Sequence, residues 1–117
     1  MQLGEDLSGV AVVGDAARWP SRFAALTVDR ERYVVALAGL RLPLTRLEFD
    51  LLDTLVQNAG KVVPYRELVE RVLGCAFVPE STALRVHVAH LRRKLRNAAG
   101  AIVTVRGRGL LFDPERL

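Results

Sequence analysis

The sequence predicts an α+β fold with short antiparallel strands first, three helices next and a C-terminal β-hairpin last. Three observations predict it. Residues 24–44 carry β-rich runs broken by polar turns; residues 45–97 carry three apolar patterns at helical spacing; residues 101–112 hold two β-rich runs around Arg106, Gly107, Arg108 and Gly109. With 117 residues, half of them hydrophobic, the chain is long enough for one domain with its own core. That domain is placed at residues 24–117, and residues 1–23 are read as a linker or the remnant of an upstream region.

The N-terminal residues are weakly patterned. Glycines at 4, 9 and 14 punctuate a short apolar run, Val10 to Val13, which reads equally as a strand, a linker or the end of an upstream unit. From Ala25 a small meander is expected. Two β-rich runs flank the polar turn Asp29, Arg30, Glu31, and Ala38 with Gly39 makes a second turn. Pro43 confines the run that follows to an edge strand or a strand end.

Thr45 opens the first helix. With Glu48 three residues on it forms a capping box, the hydroxyl accepting from the Glu48 amide and the carboxylate reaching back. Leu47, Leu51, Leu52, Leu55 and Val56 repeat at helical spacing, and Gly60 closes the helix. Lys61, Val62 and Val63 are too few to stand alone as a strand. Pro64 is placed in the first turn of the second helix, where its missing N–H costs nothing. Leu68, Val69, Val72 and Leu73 form that helix's core stripe, and Gly74 ends it.

Glu80, Ser81 and Thr82 offer caps and favourable charge for the third helix, placed at about 80–98. At about 100° per residue, Leu84, Val88, Leu91 and Leu95 fall within about 60° of one another and form the buried stripe. Thr82, Val86, Ala89, His90, Arg93 and Asn97 lie opposite, rimmed by Arg85 and Arg92 on one side and by His87 and Lys94 on the other. Slim residues at the centre with cations at the rims suit a helix entering a nucleic-acid groove, although most basic helix faces simply meet solvent. A hairpin at about 102–112 follows, with Arg106 and Arg108 at its tip.

Charge sharpens this reading. Residues 1–60 hold 6 basic and 8 acidic side chains, whereas residues 61–117 hold 11 basic and 5 acidic. Residues 81–108 contain seven Lys or Arg and no Asp or Glu, a surface that attracts polyanions. Arg outnumbers Lys 15 to 2; its planar fork suits phosphates and guanine edges, though a GC-rich genome gives the same bias.

A helix pair ending in a basic helix is a helix-turn-helix-like unit, and a basic-tipped hairpin after it is a wing. The expected fold is therefore a winged helix-turn-helix that binds double-stranded DNA, with the third helix in the major groove and the wing in the minor groove. A winged-helix interaction module without DNA binding is the alternative; the joint presence of Arg93, Arg106 and Arg108 favours DNA. An enzyme built on Cys75, His87 and His90 lacks a fourth ligand and a nearby carboxylate beyond Glu80. No catalytic residue, metal site or cofactor is expected. RNA is disfavoured because the basic stretch has no aromatic residue to stack a base. A single cysteine fits a reducing compartment, and neither a membrane-spanning run nor a leader pattern is seen, so the cytoplasm is the expected location.

The stretch from about residue 26 to residue 112 resembles the winged-helix effector domain of bacterial two-component response regulators of the OmpR/PhoB type, the group with the phosphate-regulon and osmoregulatory regulators. The matching pieces begin at Leu44, Gly60, Tyr65, Leu84 and Ile102. The resemblance implies a four-stranded N-terminal sheet and a recognition helix that reads bases through Thr82, Arg85, Val86, Ala89, His90 and Arg93. It assigns His87, Arg92 and Thr104 to phosphate and Arg106 to the minor groove. It also implies that loop 75–80, with Phe77, Val78 and Glu80, corresponds to the loop that touches RNA polymerase in activators. The family binds direct-repeat half-sites, usually as a pair of subunits. Departures are Ala89 and His90, where larger polar or basic residues are frequent, Arg85 in place of an acidic residue, and Leu73 and Leu110 in place of Trp and Tyr. Residues 1–23 are too short to supply the family's receiver domain.

Overall fold

A computed structural model of the chain describes residues 10–12, 26–75 and 82–117. The first layer is a four-stranded antiparallel sheet of β1 (Val10–Val12), β2 (Leu26–Asp29), β3 (Val34–Leu37) and β4 (Leu40–Leu42), paired in chain order. Of the three readings open for the run at Val10, the strand is the one formed: Ala11 lies opposite Val28. Leu26, Val28 and Val35 turn inward and are fully or almost fully buried. β4 is an outer strand and stops immediately before Pro43, which has no N–H to give a ladder.

Helix α1 (Arg46–Gln57) starts with the expected capping box: Glu48 N–H donates to Thr45 Oγ1 at 3.2 Å, and Thr45 N–H donates to Glu48 Oε1 at 3.0 Å. Its Phe49, Leu51, Leu52, Leu55 and Val56 are buried. Gly60 follows at φ +83°, a conformation open to glycine.

Residues 62–64 form a strand that, as their number requires, does not stand alone. β5 (Val62–Pro64) pairs with the return strand of the hairpin, Val63 opposite Leu110, so its partner lies far along the chain. Helix α2 begins as an α-turn at Tyr65–Leu68 and widens into a π-turn at Val69–Leu73, where Gly74 N–H reaches back to the Val69 carbonyl. Leu68, Val69 and Val72 are buried, and Gly74 ends the helix in the left-handed conformation.

Helix α3 (Ala83–Leu95) packs on α1 through Leu84, Val88, Leu91 and Leu95, all buried, as the helical wheel requires. It ends earlier than expected. Arg96 turns to φ +54° and a 3-10 turn, Arg96–Ala101, carries the chain on, with Ala98 and Ala101 buried. The hairpin β6 (Ile102–Val105) and β7 (Gly109–Phe112) follows, and the second sheet runs β5-β7-β6. Phe112 is completely buried, so the wing is rooted in the core.

Candidate nucleic-acid interface

The buried stripe of α3 fixes which residues face outward. Thr82, Arg85, Val86, Ala89, His90 and Arg93 are all exposed, with Val86 at 47 %. Leaving Val86 this open on a helix whose other face is core-packed presents an aliphatic group at the centre of a basic surface. Thr82 occupies the N-cap position but its side chain makes no capping hydrogen bond, so its hydroxyl is uncommitted to the helix end. The caps expected from Glu80 and Ser81, and the loop residues Phe77, Val78 and Glu80, lie outside the described residues.

Two rim residues, Arg92 and Lys94, and one residue of the outward face, His90, are more engaged than their positions suggest. Arg92 is half-buried and donates to the Ile102 carbonyl oxygen from Nε at 3.2 Å and from Nη2 at 2.6 Å. Its Nη2 also donates to Thr104 Oγ1 at 2.9 Å. The two side chains expected at phosphate thus bind each other and clip α3 to the wing. Lys94 lies across α1, donating to the Pro43 carbonyl at 2.9 Å and to Glu48 Oε1 at 2.6 Å. His90, exposed at 46 %, brings Nδ1 to 4.0 Å from Glu48 Oε2.

Glu48 is thereby the hidden support of the face. It is 2 % exposed and sits against the cap of α1, Lys94 and His90. Burial pushes its carboxyl upward, but the Lys94 hydrogen bond, the Thr45 amide and the Lys94 charge outweigh that and hold it below its ordinary value. The capping box singled out Glu48 only for its local role. Its contact with Lys94 joins residues 46 positions apart and leaves no local mark.

The wing tip comprises Arg106, Gly107 and Arg108, all exposed, with Gly107 at φ +75° turning the chain. Gly109 serves a different purpose. A Cβ there would run into the Val63 carbonyl, 2.8 Å from its carbon and 2.9 Å from Pro64 Cα. Only a bare backbone lets β7 lie this close to β5.

The charge pairing divides the molecule. On the scaffold, Arg30 pairs with Asp53, Arg32 with Asp29, Arg46 with Asp50, Arg66 with Glu70, Arg71 with Glu67 and Arg116 with Asp113. Arg85, Arg93, Arg96, Arg106 and Arg108 have no carboxylate partner among the described residues. Cations without an internal counter-charge are free to neutralise the charges of a polyanion and so displace the counterions condensed on it. Among the described residues no three His, Cys, Asp or Glu gather where they could hold a metal ion, so Cys75, His87 and His90 form no such cluster. No helix there is long and apolar enough to cross a membrane.

A short helix, a longer basic helix and a β-hairpin in this order make a winged helix-turn-helix. The chain belongs to the family described as "Transcriptional regulatory protein, C terminal", which matches residues 39–112. It is 41 % identical over 91 residues to the sensory transduction protein RegX3 of Mycobacterium leprae, covering 75 % of this chain and 46 % of that protein. It is 41 % identical over 88 residues to the response regulator protein PmrA of Pseudomonas aeruginosa, covering 75 % and 39 %. The chain thus spans less than half the length of these curated relatives. Among solved structures, it is similar to the DNA-binding domain of CpxR from E. coli, with a TM-score of 0.71, 37 % identity and coverage of 76 % of this chain and 90 % of that one. The DNA-binding domain of RstA from Klebsiella pneumoniae, solved in complex with the RstA box, gives a TM-score of 0.71 at 31 % identity, covering 77 % and 92 %.

Proposed function

We propose that this chain is a sequence-specific double-stranded DNA-binding module of a bacterial, cytoplasmic transcriptional regulator, with α3 in the major groove and the wing in the minor groove. The observation that carries the reading is the one-signed set Arg85, Arg93, Arg96, Arg106 and Arg108, without a carboxylate partner among the described residues, on a helix-and-wing frame whose other described arginines mostly hold carboxylates. That the similar RstA domain was solved on its DNA box supports it.

In this reading Thr82, Arg85, Val86, Ala89, His90 and Arg93 meet base edges, with Val86 and Ala89 slim enough to approach thymine methyls. His87 and the donors that Arg92 does not spend on the wing meet phosphate. Thr104 serves mainly by holding Arg92. Arg106 enters the minor groove, where narrow A·T segments concentrate negative potential, and Arg108 neutralises the flanking backbone. Binding as a pair on direct repeats, and contact of loop 75–80 with RNA polymerase, are part of the same proposal through the family resemblance.

The test is selection of bound sequences from a random duplex pool, followed by mobility shifts with the enriched sequence and a scrambled one. Enrichment of a defined motif, bound tighter than its scramble, is the expected result. No enrichment and no shift with any duplex would leave the winged helix as a protein-interaction module.

A further inference from the structure

We propose that Arg41, on the outer strand of the N-terminal sheet, is a further phosphate-contacting residue that extends the DNA-binding surface past the recognition helix and wing. The inference rests on the DNA-binding reading above. An open cleft runs between β4 and the C-terminal end of α3, with Arg41 on one wall and His90, Arg93, Lys94 and Arg96 on the other. The one acidic side chain that lines it, Glu48, is already held by Lys94 and the Thr45 amide. The cleft is left with a net positive charge. His90 and Arg93 belong both to this cleft and to the outward face of α3, so the two surfaces are continuous.

Arg41 stands out within the scaffold. Of the seven Arg and Lys among residues 26–75, five pair with carboxylates; Arg41 and Lys61 have no such partner among the described residues, and only Arg41 lines the cleft. An exposed arginine on an edge strand can serve merely to discourage sheet-to-sheet pairing. Lining the same cleft as Arg93 gives it a second role. A helix lying in the major groove, about 12 Å wide, is flanked on both sides by phosphate ridges. The ridge beside His90 and Arg93 would cross the mouth of this cleft, within the span that Arg41 guards from the far wall.

The experiment measures DNA affinity of the full chain against salt, using the selected duplex, for the wild type, Arg41→Ala and Arg32→Ala. Arg32 is likewise an exposed cation, in the turn between β2 and β3 and outside the cleft, so its loss changes net charge by the same amount. Arg41→Ala should bind several-fold more weakly at low salt and flatten the slope of log affinity against log salt by about 0.9, the loss of one neutralised phosphate, without altering the selected motif. Arg32→Ala should leave the slope as in the wild type. An unchanged slope in Arg41→Ala, or an equal flattening in Arg32→Ala, would overturn the assignment of Arg41 while leaving the DNA reading intact. Absence of salt-dependent binding in the wild type would instead sink the DNA reading itself. Matching thermal midpoints for the three proteins show that folding is not the cause of any difference.

Discussion

Arg92 on α3 and Thr104 on the wing are hydrogen-bonded to each other, Nη2 to Oγ1 at 2.9 Å, while the same guanidinium caps the Ile102 carbonyl. The angle between helix and wing is therefore set within the protein before any DNA arrives. A guanidinium has five donors, so this duty still leaves some for a phosphate.

Arg92→Ala should accordingly affect two measurements at once. Stability should fall by about 2 kcal/mol, the scale of losing a charge-assisted hydrogen bond and leaving a carbonyl under-satisfied. DNA affinity should fall more than in Arg108→Ala, which removes charge alone. Thr104→Val, which spares the bond to Ile102, should cost under about 1 kcal/mol. Urea midpoints and binding isotherms on the three variants check this; a stability loss in Thr104→Val equal to that of Arg92→Ala would contradict it.

Lys94 and Glu48 make a pH-dependent prediction. The side chain of Glu48 is 3 % exposed and that of Lys94 is 30 % exposed, so removing the lysine strands a carboxylate that cannot reach water. Lys94→Met should cost about 3 kcal/mol at neutral pH. The folded Glu48 carboxyl titrates below its ordinary value. Its contribution is thus present above the unfolded value, about pH 4.3, and is lost as pH falls through the lower folded one. The gap between wild type and Lys94→Met should narrow in denaturant melts at pH 3.5. A gap as wide there as at pH 7 would contradict the pairing.

Two neighbouring glycines should respond unequally to alanine. Gly107 needs only its left-handed backbone, with nothing within 4 Å of a would-be Cβ, so Gly107→Ala should cost about 1–2 kcal/mol. Gly109→Ala forces a methyl group into the backbone of Val63 and Pro64. It should cost about 3 kcal/mol or more and free β5 from the sheet. Amide exchange at Leu110 and Leu111 reads the second effect.

Arg93 and Arg106 should separate base reading from groove-shape reading. Arg93→Ala should weaken the selected site by about 1–3 kcal/mol and relax preference at one position. Arg106→Ala should weaken sites with A·T flanks most and leave the central positions unaltered. Repeating the selection with each variant distinguishes the two, and identical altered motifs would merge their roles.

What was legible in the sequence was mostly what is local. The Thr45–Glu48 box, the glycine stops at Gly60 and Gly74, and the Leu84, Val88, Leu91, Leu95 stripe each depend on residues within one or two turns. The strand at Val62–Pro64 was missed because its partner, Gly109–Phe112, is supplied by the distant wing. For the same reason Gly109 read as a turn glycine when its constraint comes from Val63. The outward face of α3 was found correctly. A wheel sees only one helix, so the claims of Ile102 on Arg92 and of Glu48 on Lys94 were invisible to it. The end of α3 at Leu95 follows from Arg96 turning to a positive φ, which no residue type there announces.

In the proposed function, the arginines of α3 and the wing that have no carboxylate partner among the described residues bind duplex DNA through its phosphates while the helix reads its sequence. This is tested most directly by measuring affinity for the selected duplex and its scramble between 50 and 200 mM salt. With four or more phosphates neutralised, affinity for both should fall at least about a hundred-fold over that range, while the preference for the selected sequence persists. Binding that is insensitive to salt, or equal for the two sequences throughout, would contradict the account.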